Sequence, residues 1–309
     1  MKKGKVAVIG LAGQSVFLKE DHFPVPGETV SCSGLFFEPG GKGYNQAIAC
    51  ARMGIETVFI GAVGDDGHAE VCRLGLEQEG IKVCFVKKQT PTAFAVITTI
   101  PDGENTVQVS GGASRCLTEA DLREEAVMRE LRDCDYLLLQ NELSSECLQA
   151  AVRLAKELGI LVVLNPAPAE SVSRDLFSEC ELLTPNYGEA KTLAGFLQEE
   201  EPSGRELAEI FRCYRAKKVV ITMGRKGAFI IDEKGERLIS AFSCGTALDT
   251  TGAGDTFNGT LTAALAMDQG LEEAVRMAVV AAGISVTRRG AAGSIPTRAE
   301  VIDYKNGEK

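Results

Sequence analysis

The chain of 309 residues is 45% hydrophobic and 25% charged, the composition of an ordinary globular protein with room for one large α/β domain or two small ones. Its formal net charge of −10 argues against nucleic acids and anionic membranes as partners, because both select basic surfaces. It does not exclude a small anionic ligand in a local positive pocket. No apolar run approaches the roughly 20 residues of a membrane-spanning helix.

The cysteine and histidine content narrows the chemistry further. The ten cysteines are scattered, with no C-x-x-C pair and no Cys/His cluster, so we expect reduced thiols in a cytoplasmic protein. Several of them, such as Cys50, Cys72 and Cys147, fall in apolar-periodic runs that predict burial. With only His22 and His68 in the chain, we expect neither a histidine-based triad nor a zinc site.

Short apolar runs alternate with helical patterns through most of the chain. Such runs favour strands that are buried on both faces, and their alternation with helices favours a mostly parallel sheet with helices on both sides. Ligands of such sheets bind beyond the carboxyl ends of the strands. In chain order, strands are predicted at 5–10, 57–61, 136–140, 161–165 and 219–223, and helices at 42–53, 69–78, 142–157 and 207–214.

Two stretches interrupt this alternation. Residues 28–37 and 93–108 alternate in strand fashion with no helix between their strands, and the second contains the turn signal Pro101, Asp102 and Gly103. We expect a small antiparallel β-lid over a cleft, formed by about 11–38 and 92–110. No linker, low-complexity segment or repeat divides the chain, so 1–309 is expected to form a single domain.

The run DTTGAGDTFNG at 249–259 is the strongest functional signal. Gly252, Ala253 and Gly254 form a small-residue loop before an apolar-periodic helix, and Asp255 falls in the first turn of that helix. Free N–H groups at a helix start favour an anion, and a carboxylate beside them can accept a hydroxyl proton. The combination suits phosphoryl transfer to a hydroxyl. The alternative is an aspartate that only favours the helix dipole.

A second glycine-rich turn precedes the helix predicted at 42–53, in the run PGGKGYNQAIACARMG at 39–54. Lys42 and Asn45 fall near the helix start, where polar side chains can face a ligand; a solvated lysine after a glycine turn is the alternative. The run is not a Walker loop, because GxxxxGK[ST] is absent. DTTGAGDTFNG is not a dinucleotide fingerprint, because its third glycine is missing.

Together these two runs resemble the signatures of the ribokinase family of carbohydrate kinases, also called the phosphofructokinase-B-like family. GGKGYNQA is similar to the N-terminal signature and DTTGAGDTFNG to the C-terminal one. The resemblance implies a ribokinase-like three-layer α/β/α fold and an ATP-dependent kinase that transfers the γ-phosphate to a primary hydroxyl of a sugar. It runs nearly end to end, with FPVPGETV, LNPAP, TPNYGEA, ITMGRKG and VTRRGAAGSIP in the expected order.

The resemblance also implies roles for individual residues. Asp255 matches the general base, and Gly252, Ala253 and Gly254 match the anion hole for the γ-phosphate. The substrate-side positions are Gly13, Ser15, Gly41, Lys42, Asn45 and Glu142, and the nucleotide-side positions are Asn186, Thr222, Gly224 and Gly227.

Two ions are implied in the same way. Glu189, in the Asn-x-x-Glu motif of the family, would act on Mg²⁺ through water. Asp249 is similar to the side-chain ligand of a monovalent-cation site, which implies K⁺. The other positions of that site are the carbonyls near Thr251, Val286 and Gly290 and the side chain of Ser294.

Three positions depart from the family pattern. Where the pattern GSxNxD follows the first strand, this chain has GLAGQS, so Gly13 stands at the position of the Asn. Ser15 stands at the position of the Asp, which normally holds sugar hydroxyls. Tyr44 replaces a usual small alanine, and it could narrow the pocket or offer a stacking face. The identity of the sugar therefore stays open.

Two other functions are compatible with these residues. A nucleoside kinase of the same fold is the nearer one, because Tyr44 could stack on a base. A sugar-binding sensor without catalysis is the other, but the intact base and anion hole argue against it. Apolar lid residues also favour a homodimer in which the two lids pair, as the family often does. These lid residues are Val30, Leu35, Phe36, Phe94 and Val96.

The absence of a carboxylate at Ser15 leads to a kinetic prediction. Losing a hydrogen-bonding carboxylate can weaken substrate selection by orders of magnitude. We expect kcat/KM for D-ribose to lie below about 10⁴ M⁻¹s⁻¹ unless another residue supplies the missing contacts. Steady-state kinetics on D-ribose measure this, and an efficient enzyme without such a residue would contradict it.

Overall fold

The computed structural model describes residues 4–102 and 104–307, so Gly103 of the predicted turn lies outside the described residues. The strands are β1 (Lys5–Ile9), β2 (Gly13–Lys19), β3 (Gly34–Gly40), β4 (Glu56–Val63), β5 (Lys82–Lys87), β6 (Ala93–Thr99), β7 (Asn105–Ser110), β8 (Tyr136–Gln140), β9 (Leu161–Asn165), β10 (Leu182–Leu183), β11 (Val219–Thr222), β12 (Ala228–Asp232) and β13 (Gly235–Ile239). The helices are α1 (Lys42–Arg52), α2 (Gly67–Gln78), α3 (Glu119–Leu122), α4 (Glu125–Leu131), α5 (Ser145–Leu158), α6 (Tyr187–Ala194), α7 (Gly204–Cys213), α8 (Ala253–Ala266), α9 (Leu271–Ser285) and α10 (Arg298–Asn306).

A central sheet of nine strands runs in the order β13-β12-β11-β10-β9-β8-β1-β4-β5. The neighbours from β11 to β5 pair in parallel, and only the β11–β12 and β12–β13 pairs are antiparallel. Each of the five runs predicted as strands forms one. The mostly parallel sheet expected from the sequence is confirmed.

Both faces of the central sheet are covered by helices. Within β1, Ala7 and Ile9 pack on one side and Val6 and Val8 on the other, because successive side chains of a strand alternate between faces. One side carries α3 to α7, and the other carries α1, α2 and α8 to α10. Burial on both faces explains why these strands are almost continuously apolar.

The direction in which the chain crosses the sheet reverses at β1. From β1 the chain moves outward to β4 and β5, and it later returns to β8 on the opposite side of β1. The carboxyl ends of β1 and β8 therefore border a crevice, which is where ligands bind in open α/β sheets. The glycine-rich start of α1 lies against this crevice, since the backbone N–H of Tyr44 donates to the carbonyl of Leu11.

A second sheet forms the predicted lid, in the order β3-β2-β6-β7. The β2–β3 and β6–β7 pairs are antiparallel, whereas β2 and β6 pair in parallel. The strand predicted at 28–37 is wrong at its start, because β3 begins at Gly34. Lys19, the last residue of β2, pairs with Gly34, and the Ser33 N–H still donates to the Lys19 carbonyl at 2.7 Å, so β2 ends before residues 28–32 could pair with it.

The lid leaves apolar side chains uncovered on both faces. Leu35, Phe37, Val107 and Val109 are between 57% and 61% exposed, in a sheet whose edges are β3 and β7. Phe36 stacks on Phe17 at 4.5 Å between ring centroids and is still 45% exposed. Of the apolar lid residues named from the sequence, Leu35 and Phe36 are exposed, whereas Val30, Phe94 and Val96 are half-buried.

The cysteines have the expected state. All ten thiols are free, and Cys50, Cys72 and Cys147 are buried among apolar side chains. Among the described residues, no helix has the length and apolar character needed to cross a membrane.

Candidate active site

The start of α8 offers uncapped backbone donors. The helix begins after Gly252, whose φ of 74° lies in the left-handed region that favours glycine, and no side chain caps the first turn. The N–H of Ala253 donates to the Thr250 carbonyl at 3.3 Å, so the N–H groups of Gly254 and Asp255 are the ones in this turn that can bind an anion. Asp255 lies in this turn, as the sequence predicts.

Two amide side chains of α1 hold the carboxylate of Asp255. Asn45 Nδ2 donates to Oδ2 at 2.9 Å, and Gln46 Nε2 donates to Oδ1 at 3.0 Å. Desolvation raises the pKa of Asp255, while Lys42 and the two amides act in the opposite direction. The result is a fixed carboxylate that is more basic than usual, which is the property of a general base.

Gln46 connects Asp255 to the ends of two central strands. Its Nε2 also donates to Asn165 Oδ1 at 3.0 Å, and its Oε1 accepts from Gln140 Nε2 at 2.7 Å. Asn165 in turn donates to the carbonyl of Thr184 at 2.9 Å. These three residues were not predicted from the sequence. A polar residue closing each of the apolar runs YLLLQ and LVVLN was the available signal.

Lys42 and Glu142 meet across the crevice. The backbone N–H of Lys42 donates to Glu142 Oε2 at 2.9 Å. Gly41 has a φ of 112°, and a Cβ there would lie 2.6 Å from the carbonyl oxygen of Leu11, so this close approach requires glycine. The helix predicted from Glu142 is wrong at its start. α5 begins at Ser145, capped by the Ser144 hydroxyl, and Glu142 lies in the preceding turn and faces the crevice.

The charges in the crevice perturb one another. Burial lowers the pKa of Lys42, but the carboxylates of Asp255, Glu142 and Glu189 outweigh it and raise that pKa overall. Burial and the nearby Asp255 raise the pKa of Glu142 to about 7, although Lys42 opposes them. Several perturbed groups facing one crevice are typical of an active site.

Lys42, Glu142 and Asp255 line one pocket between the lid and the central sheet, here called the central pocket. It brings together most of the predicted catalytic and substrate-side residues, whereas the predicted nucleotide-side residues lie outside its walls. Its lining includes Gly13, Ser15, Phe17, Glu38, Gly41, Lys42, Asn45, Glu142, Thr251, Gly252, Asp255 and Ala291.

Gly13 and Ser15 enter this lining from β2. A Cβ on Gly13 would lie 2.4 Å from the carbonyl oxygen of Ala93, so the parallel pairing of β2 with β6 leaves no room for a side chain. The carbonyl of Gly13 accepts from Cys72 Sγ at 3.3 Å. Gly13 therefore contributes only backbone, while Ser15 contributes a half-buried hydroxyl.

Tyr44 does not line the central pocket. Its side chain is 2% exposed and packs between α1 and α2 in the hydrophobic core. Gly75 makes room for it, because a Cβ at Gly75 would lie 2.1 Å from the Tyr44 hydroxyl. The expectation that Tyr44 narrows the pocket or stacks on a ligand is wrong, since residue 44 points into the helical layer.

The predicted nucleotide-side residues adjoin one another at the ends of β10 and β11. Asn186 and Thr222 form an isolated parallel bridge. Gly224 and Gly227 have φ values of 53° and 100°. A Cβ on Gly227 would lie 2.0 Å from the carbonyl oxygen of Ile239, so packing against β13 already explains this glycine.

Asn186 and Glu189 form a capping box at the start of α6. Asn186 Oδ1 accepts from the backbone N–H of Glu189, and Glu189 Oε2 accepts from that of Asn186, both at 2.8 Å. Burial raises the pKa of Glu189, which also responds to the charges of Lys42 and Asp255. Glu189 therefore faces the same crevice while it caps its helix.

The positions implied for a monovalent cation gather beside Gly252. Asp249 Oδ1 accepts from the backbone N–H of Thr251, and its Oδ2 accepts from that of Gly290, both at 2.9 Å. Burial opposes these bonds, but they hold the pKa of Asp249 below its usual range. The Val286 carbonyl accepts from two backbone N–H groups, and the buried Ser294 hydroxyl donates to the Ala291 carbonyl.

Comparison with known proteins identifies the family. Residues 3–298 match the pfkB family carbohydrate kinase. A ribokinase of Haemophilus influenzae is 36% identical over 301 residues, 97% of each chain. A ribokinase structure from Giardia lamblia superposes with a TM-score of 0.90 at 29% identity over 100% of both chains. A structure of Arabidopsis thaliana ribokinase complexed with ribose and ATP gives 0.89 at 26% identity, over 97% of this chain and 98% of that one. The ribokinase-like fold is confirmed, and the chain belongs to the pfkB family as an ATP-dependent carbohydrate kinase.

Proposed function

We propose that the protein transfers the γ-phosphate of ATP to a primary hydroxyl of a sugar, with Asp255 as the general base. The main support for this proposal is the position of the Asp255 carboxylate. It is oriented by Asn45 and Gln46, beside the uncapped N–H groups of α8 and in one pocket with Lys42. A base beside an anion hole is the arrangement that phosphoryl transfer to a hydroxyl requires.

The residues of this pocket can accept the proton and stabilise the charge that phosphoryl transfer produces. The sugar hydroxyl gives its proton to the Asp255 carboxylate, and its oxygen forms a bond to the γ-phosphorus as the bond to the bridging oxygen breaks. ADP leaves with the electron pair of that bond. The N–H groups that follow Gly252, with the cationic side chain of Lys42, stabilise the charge on the transferring group.

ATP and Mg²⁺ belong to this proposal. The bridge between Asn186 and Thr222, and the positive φ of Gly224, support a nucleotide loop at the ends of β10 and β11. The half-buried carboxylate of Glu189 faces Lys42 and Asp255, so it suits a hydrated Mg²⁺ held through water. When bound, Mg²⁺ offsets the negative charge of the phosphates.

K⁺ is proposed for the region of Asp249. Asp249 lies three residues before Gly252 in the chain. Two backbone N–H groups fix its carboxylate and lower its pKa, so the carboxylate stays ionised at neutral pH. Oxygen donors of Thr251, Val286, Gly290 and Ser294 would complete the site. A cation there would support the backbone of the anion hole electrostatically.

A sugar fits the observations better than a nucleoside. The burial of Tyr44 removes the residue that favoured a base, and Phe17 of the pocket lining is already stacked on Phe36. The pocket instead presents hydrogen-bonding groups at Ser15, Asn45 and Glu142. The Oδ1 atom of Asn45 is buried and has no hydrogen-bond partner within residues 4–102 and 104–307, so it is an unused acceptor beside Asp255.

The proposed base is tested by Asp255→Asn. The amide cannot accept the hydroxyl proton, so we expect kcat to fall by about 10²- to 10⁴-fold while the Kd for ATP changes little. Coupled ADP-release kinetics and calorimetric titration of ATP measure the two quantities. Asp133→Asn is the control and should behave as wild type, because Asp133 is exposed and precedes β8 at the amino ends of the strands. An equal loss of ATP affinity in Asp255→Asn would make Asp255 a structural residue.

The acceptor class is tested by a screen of pentoses, hexoses and nucleosides with ATP and Mg²⁺, run with and without K⁺. We expect ADP release with at least one unmodified sugar, faster turnover with K⁺, and no comparable rate with nucleosides. If a nucleoside were the best acceptor, the protein would instead be a nucleoside kinase of the same fold. Sugar binding without ADP release for any acceptor would indicate a sensor.

A homodimer joined through the lids is also proposed, because pairing would cover the exposed apolar lid residues. We expect light scattering at micromolar concentration to give twice the chain mass of 32.9 kDa. Leu35→Glu/Phe36→Glu places a charge on each face of the edge strand β3 and should yield monomers. The control Leu197→Glu/Leu238→Glu changes exposed leucines outside the lid and should stay dimeric. A monomeric wild type would refute the proposal.

A further inference from the structure

Two polar side chains face each other across the lid strands at the central pocket. Ser15 of β2 pairs directly with Glu38 of β3. Directly opposed residues of an antiparallel pair project from the same face of the sheet, with Cβ atoms roughly 5 Å apart. Both residues line the central pocket, so this face is the one that covers the acceptor. Glu38 is not among the site residues predicted from the sequence.

The surroundings of Glu38 leave its carboxylate short of donors. It is half-buried and accepts the backbone N–H of Ala291. Within residues 4–102 and 104–307 no lysine or arginine forms an ion pair with it. The charge that acts on it is that of another carboxylate, Asp249. Burial raises the pKa of Glu38, and Asp249 adds to this effect while the Ala291 N–H opposes it.

Such a carboxylate is stabilised by a ligand that brings donors. An ionised carboxylate can accept about four hydrogen bonds, and a partly desolvated one loses free energy when those sites stay empty. Sugar hydroxyls can fill them. The Ser15 hydroxyl opposite can donate or accept, so the pair suits neighbouring hydroxyls of one acceptor.

We propose that Glu38 is a specificity-determining residue whose carboxylate binds hydroxyl groups of the acceptor sugar, with the Ser15 hydroxyl as its partner. This proposal rests on the sugar kinase function proposed above. Glu38 would then be the residue that supplies a carboxylate contact where Ser15 offers only a hydroxyl.

The charges of the pocket define the acceptor class further. Glu38, Glu142 and Asp255 contribute carboxylates, and Lys42 is the cation among the lining residues. An acceptor that already carries a phosphate would bring a further negative charge toward these carboxylates. The proposal therefore specifies an unphosphorylated polyhydroxyl acceptor.

The test compares Glu38→Gln with wild type on D-ribose, on 2-deoxy-D-ribose and on the best sugar of the screen. The amide oxygen can still accept the Ala291 N–H, so the lid keeps its contact, but the charge is lost. We expect KM for the best sugar to rise about 10- to 100-fold, with kcat and KM for ATP within about threefold of wild type. Glu104→Gln, at an exposed lid position before β7, is the matched control and should change none of these values.

A second pair of variants tests the position of the carboxylate. Glu38→Ala should lose sugar affinity as Glu38→Gln does, and Ser15→Asp in the same chain should restore at least part of it from the opposite strand. Failure of this restoration would refute the placement of the two side chains over one acceptor. Thermal melting of each variant, alone and with ATP, separates a loss of folding from a loss of sugar binding.

Three results would overturn the proposal. The first is an unchanged sugar KM in Glu38→Gln, and the second is an altered K⁺ activation with an unchanged sugar KM, which would assign Glu38 to the neighbourhood of Asp249. The third is fructose 6-phosphate as the preferred acceptor. These results differ from failure of the proposed function, in which the wild type itself would release no ADP with any sugar.

Discussion

The hydrogen bonds from Asn45 and Gln46 to Asp255 join the two halves of the site, although the partners lie 210 and 209 positions apart in the chain. A desolvated carboxylate is costly unless donors satisfy it, so α1 and α8 must be placed together for either helix end to be stable there. Because Gln46 also bonds Asn165 and Gln140, the orientation of Asp255 depends on the ends of β8 and β9. The geometry of the site therefore depends on two strands of the central sheet as well as on the two helices.

The same constraint shapes the electrostatics of the crevice. Lys42 is surrounded by the carboxylates of Asp255, Glu142 and Glu189, and each of these has a raised pKa because burial removes water from it. Lys42 opposes that rise in every case, so one cation offsets part of the cost of ionising several desolvated carboxylates. The uncapped end of α8 borders the same pocket as this cation.

The lid contributes the part of the pocket in which this chain differs most from its family pattern. Tyr44, one of the three departures, is buried in the hydrophobic core, because Gly75 leaves space for its side chain. Gly13 is required by the parallel pairing of β2 with β6. Only Ser15 brings a side chain into the lining of the central pocket, and its partner across the strand pair is Glu38. This part of the pocket therefore comes from two strands that no local motif describes.

The sequence by itself determined the alternating strands and helices, the parallel sheet and the residues of the two glycine-rich runs, since apolar periodicity and glycine turns are local properties of the chain. It misjudged the start of the lid strand at 28–37 and of the helix at Glu142, because strand limits depend on a partner and helix limits on a cap such as Ser144. It could not detect Gln46, Gln140 and Asn165 as supports of Asp255, or Glu38 as a pocket carboxylate. Only the tertiary structure decided these, because each depends on contacts between residues far apart in the chain, and periodicity carries no information about such contacts.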